Sequence, residues 1–262
     1  MRRENIACAR SIATDRRQRR AGAAIALALS GLFALTTGAQ AIQPPPPAPK
    51  SLPPAPNADP AFPFSREVEA FAKADVAQPP LRDATLFLGS SSIRLWDITH
   101  SFTDIATINR GFGGATTADV LHYYPRLKPR IPPRAVVVYV GENDLAAGTS
   151  PEAVSRDLLR LLRQLRRDYP RAHIAFLSLK PSPMRWTLWP KMDVVNQAVA
   201  ARASTENFAY LDVGHVLLAT DGLPDAALFR PDGLHMNARG YQRWTFLVDA
   251  WLDRVAPPVK PS

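Results

Sequence analysis

The stretch AVVVYVG, residues 135–141, is a run of mostly β-branched apolar residues without polar alternation. A strand of this composition is typical of a parallel sheet that helices cover on both faces. A second run of the same kind, HIAFLSL (173–179), follows a helical pattern over residues 151–169. In that helical pattern, leucines and a valine recur on one face and arginines on the other, which predicts an amphipathic helix. Strands alternating with helices predict an α/β domain.

Three further runs extend this pattern to five strands: ATLFLG (84–89), IATINRG (105–111) and FAYLDV (208–213). We expect a three-layer α/β/α sandwich around a central, mostly parallel five-stranded sheet. The pattern extends over residues 81–256, which is enough chain for one well-buried domain.

The segments before and after this domain have other compositions. In residues 1–41 a basic block precedes an apolar run that ends in Ala39-Gln40-Ala41, as in a signal peptide. We expect cleavage after Ala41, export to the periplasm or the cell exterior, and no stable membrane span afterwards. A retained membrane anchor is the alternative if the leader is not cleaved.

Residues 42–60 form a proline-rich linker, either a spacer or a ligand for another protein. In residues 61–80 we expect one amphipathic helix with Val68, Phe71 and Ala72 on a shared face. Residues 257–262 form a short C-terminal tail.

The charge of the chain depends strongly on the leader. The net charge is +9, but seven of the 32 basic and two of the 23 acidic residues lie in residues 1–41, so the remaining chain has a net charge of +4. A net positive charge this small is poor support for binding to nucleic acid, and we expect no nucleic-acid partner. Cys8, the one cysteine, also lies in the leader, so the mature chain has no disulfide, thiolate nucleophile or cysteine metal site.

Polar residues follow the ends of the predicted strands. The segments concerned are GSSS (89–92), NRGFGGATT (109–117), GENDLAAG (141–148) and FRPDGLHMNARGYQRW (229–244). Because ligands bind at the carboxyl ends of the strands in an open parallel sheet, these four segments are expected to converge on one site.

The last segment contains an acid and a histidine three residues apart, Asp232 and His235, across a glycine. On a tight turn the carboxylate can fix the tautomer of the imidazole and leave its other nitrogen free to take a proton. Alternatively, Asp232 caps the helix that begins near Asn237, and His235 is a surface residue. No comparable partner is expected for the remaining histidines, His100, His122, His173 and His215.

The middle segments offer hydrogen-bond donors. Asn143 carries a neutral amide that can stabilise an oxyanion, and Gly113 and Gly114 expose backbone N–H groups with little steric cover. Turn geometry is the alternative reason for these glycines. In the first segment, any of the three serines could equally cap a helix.

Taken together, the four segments resemble the SGNH (GDSL-type) hydrolase superfamily, whose motifs occur in this order. The resemblance covers residues 84–245 and implies a flavodoxin-like fold. It implies Ser91 as the nucleophile, with Asp232 and His235 completing a catalytic triad. It also implies an oxyanion hole formed by the N–H groups of Ser91 and Gly114 and the side chain of Asn143.

Two positions depart from the usual family pattern. Position 90 is serine where the family usually has aspartate, so the first segment looks like a GSSS variant, with Ser90 and Ser92 as turn and cap residues. Position 115 is alanine where the family often has aspartate. An aspartate that could brace the site is missing at both places.

The resemblance implies a serine hydrolase of carboxylic esters, without a metal or organic cofactor, acting on a small-molecule, carbohydrate or lipid ester. Trp186 and Trp189 follow the fourth strand and would either bind substrate, by stacking on a sugar or lining an acyl cleft, or pack against the core. A catalytically silent binding module for carbohydrate or lipid, on the same fold, is the alternative function.

Overall fold

The computed structural model describes residues 62–257 of the 262-residue chain. The predicted signal peptide, the proline-rich linker and nearly all of the predicted tail lie outside these residues. Among residues 62–257, no helix has the length and the apolar composition that crossing a membrane requires.

A sheet of five parallel strands lies at the centre, in the order β2-β1-β3-β4-β5. The strands are β1 (Thr85–Gly89), β2 (Thr107–Gly111), β3 (Ala135–Tyr139), β4 (His173–Leu177) and β5 (Ala209–Leu211). Every predicted strand is present, and the predicted α/β fold class is confirmed. β3 ends two residues earlier than predicted, because Gly141 has a φ of 122° and precedes a helix.

Eight α-helices surround the sheet in the described part of the chain. They are α1 (Ser65–Ala77), α2 (Ser91–Arg94), α3 (Ile98–Ser101), α4 (Thr117–Leu127), α5 (Glu142–Ala146), α6 (Pro151–Asp168), α7 (Trp189–Ala200) and α8 (Ala238–Val255). Short 3₁₀ turns lie at Trp186–Leu188, His215–Leu217 and Ala226–Leu228.

The helices form two layers because the strand order reverses direction at β1. Right-handed connections from β1 to β2 and from β3 onward place their helices on opposite faces. α1 contacts α4, and α4, α6 and α7 contact one another in series. On α8, Trp244 packs against Trp96 and Tyr139, with ring centroids 5.6 and 4.8 Å apart. β1 and β3 lie between the layers and are buried along their whole length.

The predicted helix over residues 151–169 is α6. Pro151 occupies its first turn, and the Ser150 side chain accepts a hydrogen bond from the Ala153 N–H at 3.3 Å. Its apolar stripe is buried as the periodicity predicts, at Val154, Leu158, Leu161, Leu162 and Leu165.

The N-terminal helical segment is part of the domain. In α1, Val68 is fully buried in the common core, and Phe71 packs over the guanidinium of Arg110 at 5.1 Å. Ala72, one turn after Val68, lies on the same side of α1 but is exposed. The apolar contacts of this segment with the core are made by Phe62, Phe64, Val68 and Phe71.

Gly89 allows the chain to turn sharply at the end of β1. Its φ is 152°, and a Cβ at this position would lie 1.9 Å from the carbonyl oxygen of Tyr139 in β3. The same carbonyl accepts a hydrogen bond from the Ser90 N–H at 3.0 Å. No side chain larger than hydrogen fits between these two strand ends.

We therefore expect Gly89→Ala to lower the free energy of unfolding by more than about 4 kcal/mol, or to abolish soluble expression. The matched control is Gly148→Ala, at a glycine with a φ of 91° and no neighbouring atom within 4 Å. There only backbone strain of about 1–2 kcal/mol is expected. Chemical denaturation measures both, and equal losses would contradict the role of the close strand approach.

Candidate active site

Ser91 is placed by the turn between β1 and α2. Ser90 is the extended N-cap residue with φ −92° and ψ −161°, and Ser91 is the first residue of α2. Ser90 and Ser92 are buried, whereas Ser91 is only half-buried. Because its N–H lies in the first turn of a helix, it has no intrahelical acceptor and is available to a ligand.

Ser91, His235 and Asp232 form one chain of hydrogen bonds. The Nε2 of His235 lies 3.1 Å from the Oγ of Ser91, and its Nδ1 lies 2.7 Å from the Oδ2 of Asp232. The other carboxylate oxygen, Oδ1, accepts the N–H groups of Leu234 and His235, each at 2.9 Å. With Nδ1–H donating to the carboxylate, Nε2 carries the lone pair that can accept the serine proton.

The Asp232 carboxylate stays ionised in this setting. Burial raises its pKa, but the hydrogen bonds from the His235 ring and from the backbone N–H groups of Leu234 and His235 bring the pKa below its ordinary value. A negative charge is therefore present to stabilise an imidazolium at His235.

Two other histidines also have an aspartate three residues before them. The Nδ1 of His100 lies 2.8 Å from Asp97, and that of His215 lies 2.7 Å from Asp212. The prediction that these histidines lack a comparable partner is wrong, because each has an aspartate three residues earlier whose carboxylate reaches its Nδ1. Their side chains are 85% and 59% exposed, against 22% for His235. Within residues 62–257, only the His235 ring also bonds a serine hydroxyl.

Of the predicted oxyanion donors, Asn143 lines the same cleft as Ser91 and His235, and its side chain bonds the residue after Gly114. Gly114 is exposed in the loop after β2, with a φ of 77°. The Asn143 Nδ2 donates to the carbonyl of Ala115 at 2.9 Å, and its Oδ1 accepts from Arg185 at 3.0 Å. One N–H of the amide is used in this way, which leaves the second for a substrate oxygen.

Ser91, Asn143 and His235 line one small cleft. It is lined by Ser90, Ser91, Ser92, Glu142, Asn143, Lys180, Arg185, Leu234 and His235. No group of three or more His, Cys, Asp or Glu side chains in residues 62–257 is arranged to hold a metal ion.

A buried network of charges, absent from the residues predicted for the site, lies beside the cleft. Glu142 Oε2 lies 3.1 Å from Lys180 Nζ and accepts the hydroxyl of Tyr139 at 2.6 Å, and its Oε1 lies 3.1 Å from Arg185. Lys180 also donates to the carbonyl of Leu234, next to His235, at 3.0 Å. Glu142 and Lys180 follow the two apolar strands β3 and β4, and their opposite charges at neighbouring strand ends were the available signal.

The charges in this network compensate one another. Burial raises the pKa of Glu142, but the nearby Lys180 and Arg185 outweigh it and hold the pKa below its ordinary value. Burial lowers the pKa of Lys180 against the opposing effect of Glu142. A carboxylate with two cationic partners and a tyrosine hydroxyl is satisfied, as a buried charge has to be.

Trp186 and Trp189 lie outside this cleft. Their rings stack on each other with centroids 6.3 Å apart and an interplanar angle of 13°, and Trp189 meets the edge of His215 and packs against the core. The structure does not bring them to Ser91, so their part in substrate binding stays a prediction.

The sequence of this domain matches a known family. The profile of the GDSL-like Lipase/Acylhydrolase family matches residues 94–243. The chain belongs to this family. The matched region contains Gly114, Asn143, Asp232 and His235, and it begins three residues after Ser91.

Solved structures of similar proteins share the fold. A protein from Streptococcus pneumonia, described in terms of platelet activating factor, aligns with a TM-score of 0.65 and 21% identity over 71% of this chain and 91% of that one. A GDSL-like lipase from Bacteroides thetaiotaomicron aligns with a TM-score of 0.61 and 18% identity, over 71% and 97%. The lipase/acylhydrolase from Enterococcus faecalis aligns with a TM-score of 0.56 and 16% identity, over 69% of this chain and 100% of that one. No curated protein matches the chain.

Proposed function

We propose that this protein is a serine esterase or acylhydrolase that cleaves carboxylic esters through an acyl-enzyme at Ser91. The observation that carries the proposal is the continuous contact from Asp232 through His235 to the Ser91 hydroxyl, at 2.7 and 3.1 Å. A nucleophile, a base and a group that orients the base are the three parts that such chemistry needs.

In the first half of the reaction, the Nε2 of His235 takes the hydroxyl proton as the Ser91 Oγ attacks the carbonyl carbon of the ester. The oxyanion of the tetrahedral intermediate is stabilised by the N–H groups of Ser91 and Gly114 and by the free N–H of Asn143. When the intermediate collapses, the protonated His235 gives its proton to the departing alcohol oxygen, and the acyl group stays on Ser91.

In the second half, His235 takes a proton from a water molecule that attacks the acyl-enzyme. The second tetrahedral intermediate collapses to release the carboxylic acid, and the proton returns to the Ser91 Oγ. The ionised Asp232 stabilises the imidazolium in both halves.

The proposed substrates are small-molecule, carbohydrate or lipid esters. Several proteins of the same fold are named lipases or acylhydrolases, which supports ester chemistry in general terms. Assays with acetyl esters, longer acyl esters and acetylated sugars would compare these classes directly.

For Ser91 we expect Ser91→Ala to abolish ester hydrolysis and covalent labelling by a fluorophosphonate. Ser90→Ala and Ser92→Ala are the matched controls and should keep at least part of both, because neither hydroxyl bonds His235 in the described structure. An inactive Ser90→Ala together with an active Ser91→Ala would contradict the assignment and make Ser90 the nucleophile. A folded wild-type protein that neither hydrolyses esters nor reacts with the probe would be a binding module instead.

For Asn143 we expect Asn143→Ala to lower kcat by about 10²–10³ with little change in KM, because the lost donor acts as charge develops. The side chain also joins Ala115 to Arg185, so some loss of thermal stability is expected. Kinetics normalised by active-site titration separate the two effects. Near-normal kcat in a destabilised variant would leave Asn143 with a structural role alone.

The proposal also includes export, with the mature chain beginning at Ile42 in the periplasm or outside the cell. The support is the basic block and the apolar run before Ala39-Gln40-Ala41. N-terminal sequencing of the protein recovered from the cell envelope and the medium measures the start. A chain that keeps residues 1–41 and fractionates with membranes would indicate a retained anchor.

A further inference from the structure

The loop that carries Gly114 has to keep its free N–H groups in place while charge develops on the substrate. Its neighbouring amides are each held by a different acceptor: Gly111 by Asn109 at 2.8 Å and Phe112 by the Gly89 carbonyl at 3.1 Å. Further along, Asp119 accepts the Thr116 N–H at 2.8 Å, and Asp144 accepts the Thr117 N–H at 3.0 Å.

The acceptor in the middle of this loop comes from outside the family-matched region. The Gly113 N–H donates to the Oε1 of Glu67 in helix α1, at 3.3 Å. Residues 110–118 contain no carboxylate of their own. Within residues 62–257, the amides of Gly114 and Ala115 have no acceptor, so the bond at Gly113 is the last fixed point before the donor that a substrate would use.

Other contacts hold α1 against the same loop. The ring of Phe64 packs on Phe112 with centroids 5.2 Å apart and lies 3.9 Å from the point that a Cβ on Gly114 would occupy. The guanidinium of Arg94 lies 2.9 Å from the point that a Cβ on Gly113 would occupy, and it pairs with Glu67 at 3.4 Å.

The exposure of these groups argues against a purely structural role for Glu67. The side chains of Glu67 and Arg94 are 37% and 48% exposed, and an ion pair this exposed adds little to stability. The buried Val68 and the ring of Phe64 attach α1 to the core instead. Removing the Glu67 carboxylate should therefore leave the helix in place and free the loop.

We propose that Glu67 is a positioning residue for ester hydrolysis, which holds Gly113 so that the Gly114 N–H stays directed at the developing oxyanion. Helix α1, which precedes the family-matched region, thereby belongs to the working active site. This inference rests on the proposed esterase function.

The test compares three variants of the full chain: Glu67→Ala, Glu67→Gln and the control Glu69→Ala. Glu67→Ala removes the acceptor and should lower kcat about tenfold, within the range of one lost hydrogen bond, with KM and the pH profile unchanged. Glu67→Gln keeps an acceptor oxygen and should stay within about twofold of the wild type. Glu69 lies two residues along the same helix, exposed and 3.9 Å from Arg126, and Glu69→Ala should behave as wild type.

The rate of fluorophosphonate labelling at Ser91 should fall in parallel with kcat, since it uses the same oxyanion donors, while the melting temperature changes little. Wild-type kcat in Glu67→Ala, an equal loss in Glu69→Ala, or a Glu67→Gln variant as slow as Glu67→Ala would overturn the inference. A wild-type protein inert toward both esters and the probe would instead overturn the proposed function.

Discussion

The close approach of β1 and β3 determines the position of nearly everything in the site. Gly89 lies so near the Tyr139 carbonyl that only a hydrogen atom fits between them. The turn that carries Ser91 therefore follows β1 at once. It lies beside the end of β3, which is followed by Glu142 and Asn143. Backbone packing thus places the proposed nucleophile and the proposed oxyanion donor Asn143 side by side.

A second constraint holds His235, the proposed base, at the same place. Burying Glu142 and Lys180 costs desolvation that an apolar pair would not incur, so stability alone is a weak reason for them. Their directional bonds instead fix the positions of the loops around the site. Lys180 fixes the Leu234 carbonyl beside His235, while Arg185 joins Glu142 to the Asn143 amide. Three loops from distant parts of the chain are thereby fixed to one carboxylate.

The sequence was sufficient for the features that depend on local pattern. Apolar and β-branched runs alternating with helical patterns identified the strands. Motif order identified Ser91, Gly114, Asn143, Asp232 and His235 as candidates, which the structure brings to the carboxyl end of the sheet. The Glu142–Lys180 pair was not predicted, because predicting it requires knowing that β3 and β4 are neighbours in the sheet. The contact of Glu67 was not predicted for a similar reason. Helical periodicity predicts the apolar stripe of α1, but not which loop the polar side of the helix contacts. The three-residue spacing does not by itself distinguish Asp232 and His235, since two exposed Asp–His pairs have the same spacing.

The distance along the chain between Ser91 and His235, the proposed nucleophile and base, has a consequence for folding kinetics. Ser91 and His235 are 144 residues apart and meet through strands and helices formed by almost everything between them. Contacts of such long range form late, because the entropy of closing the intervening chain must be overcome first. A partly synthesised or partly folded chain therefore has an isolated serine hydroxyl and no base. Reactivity at Ser91 would report completion of the whole domain, whereas the secondary structure of any one part would not.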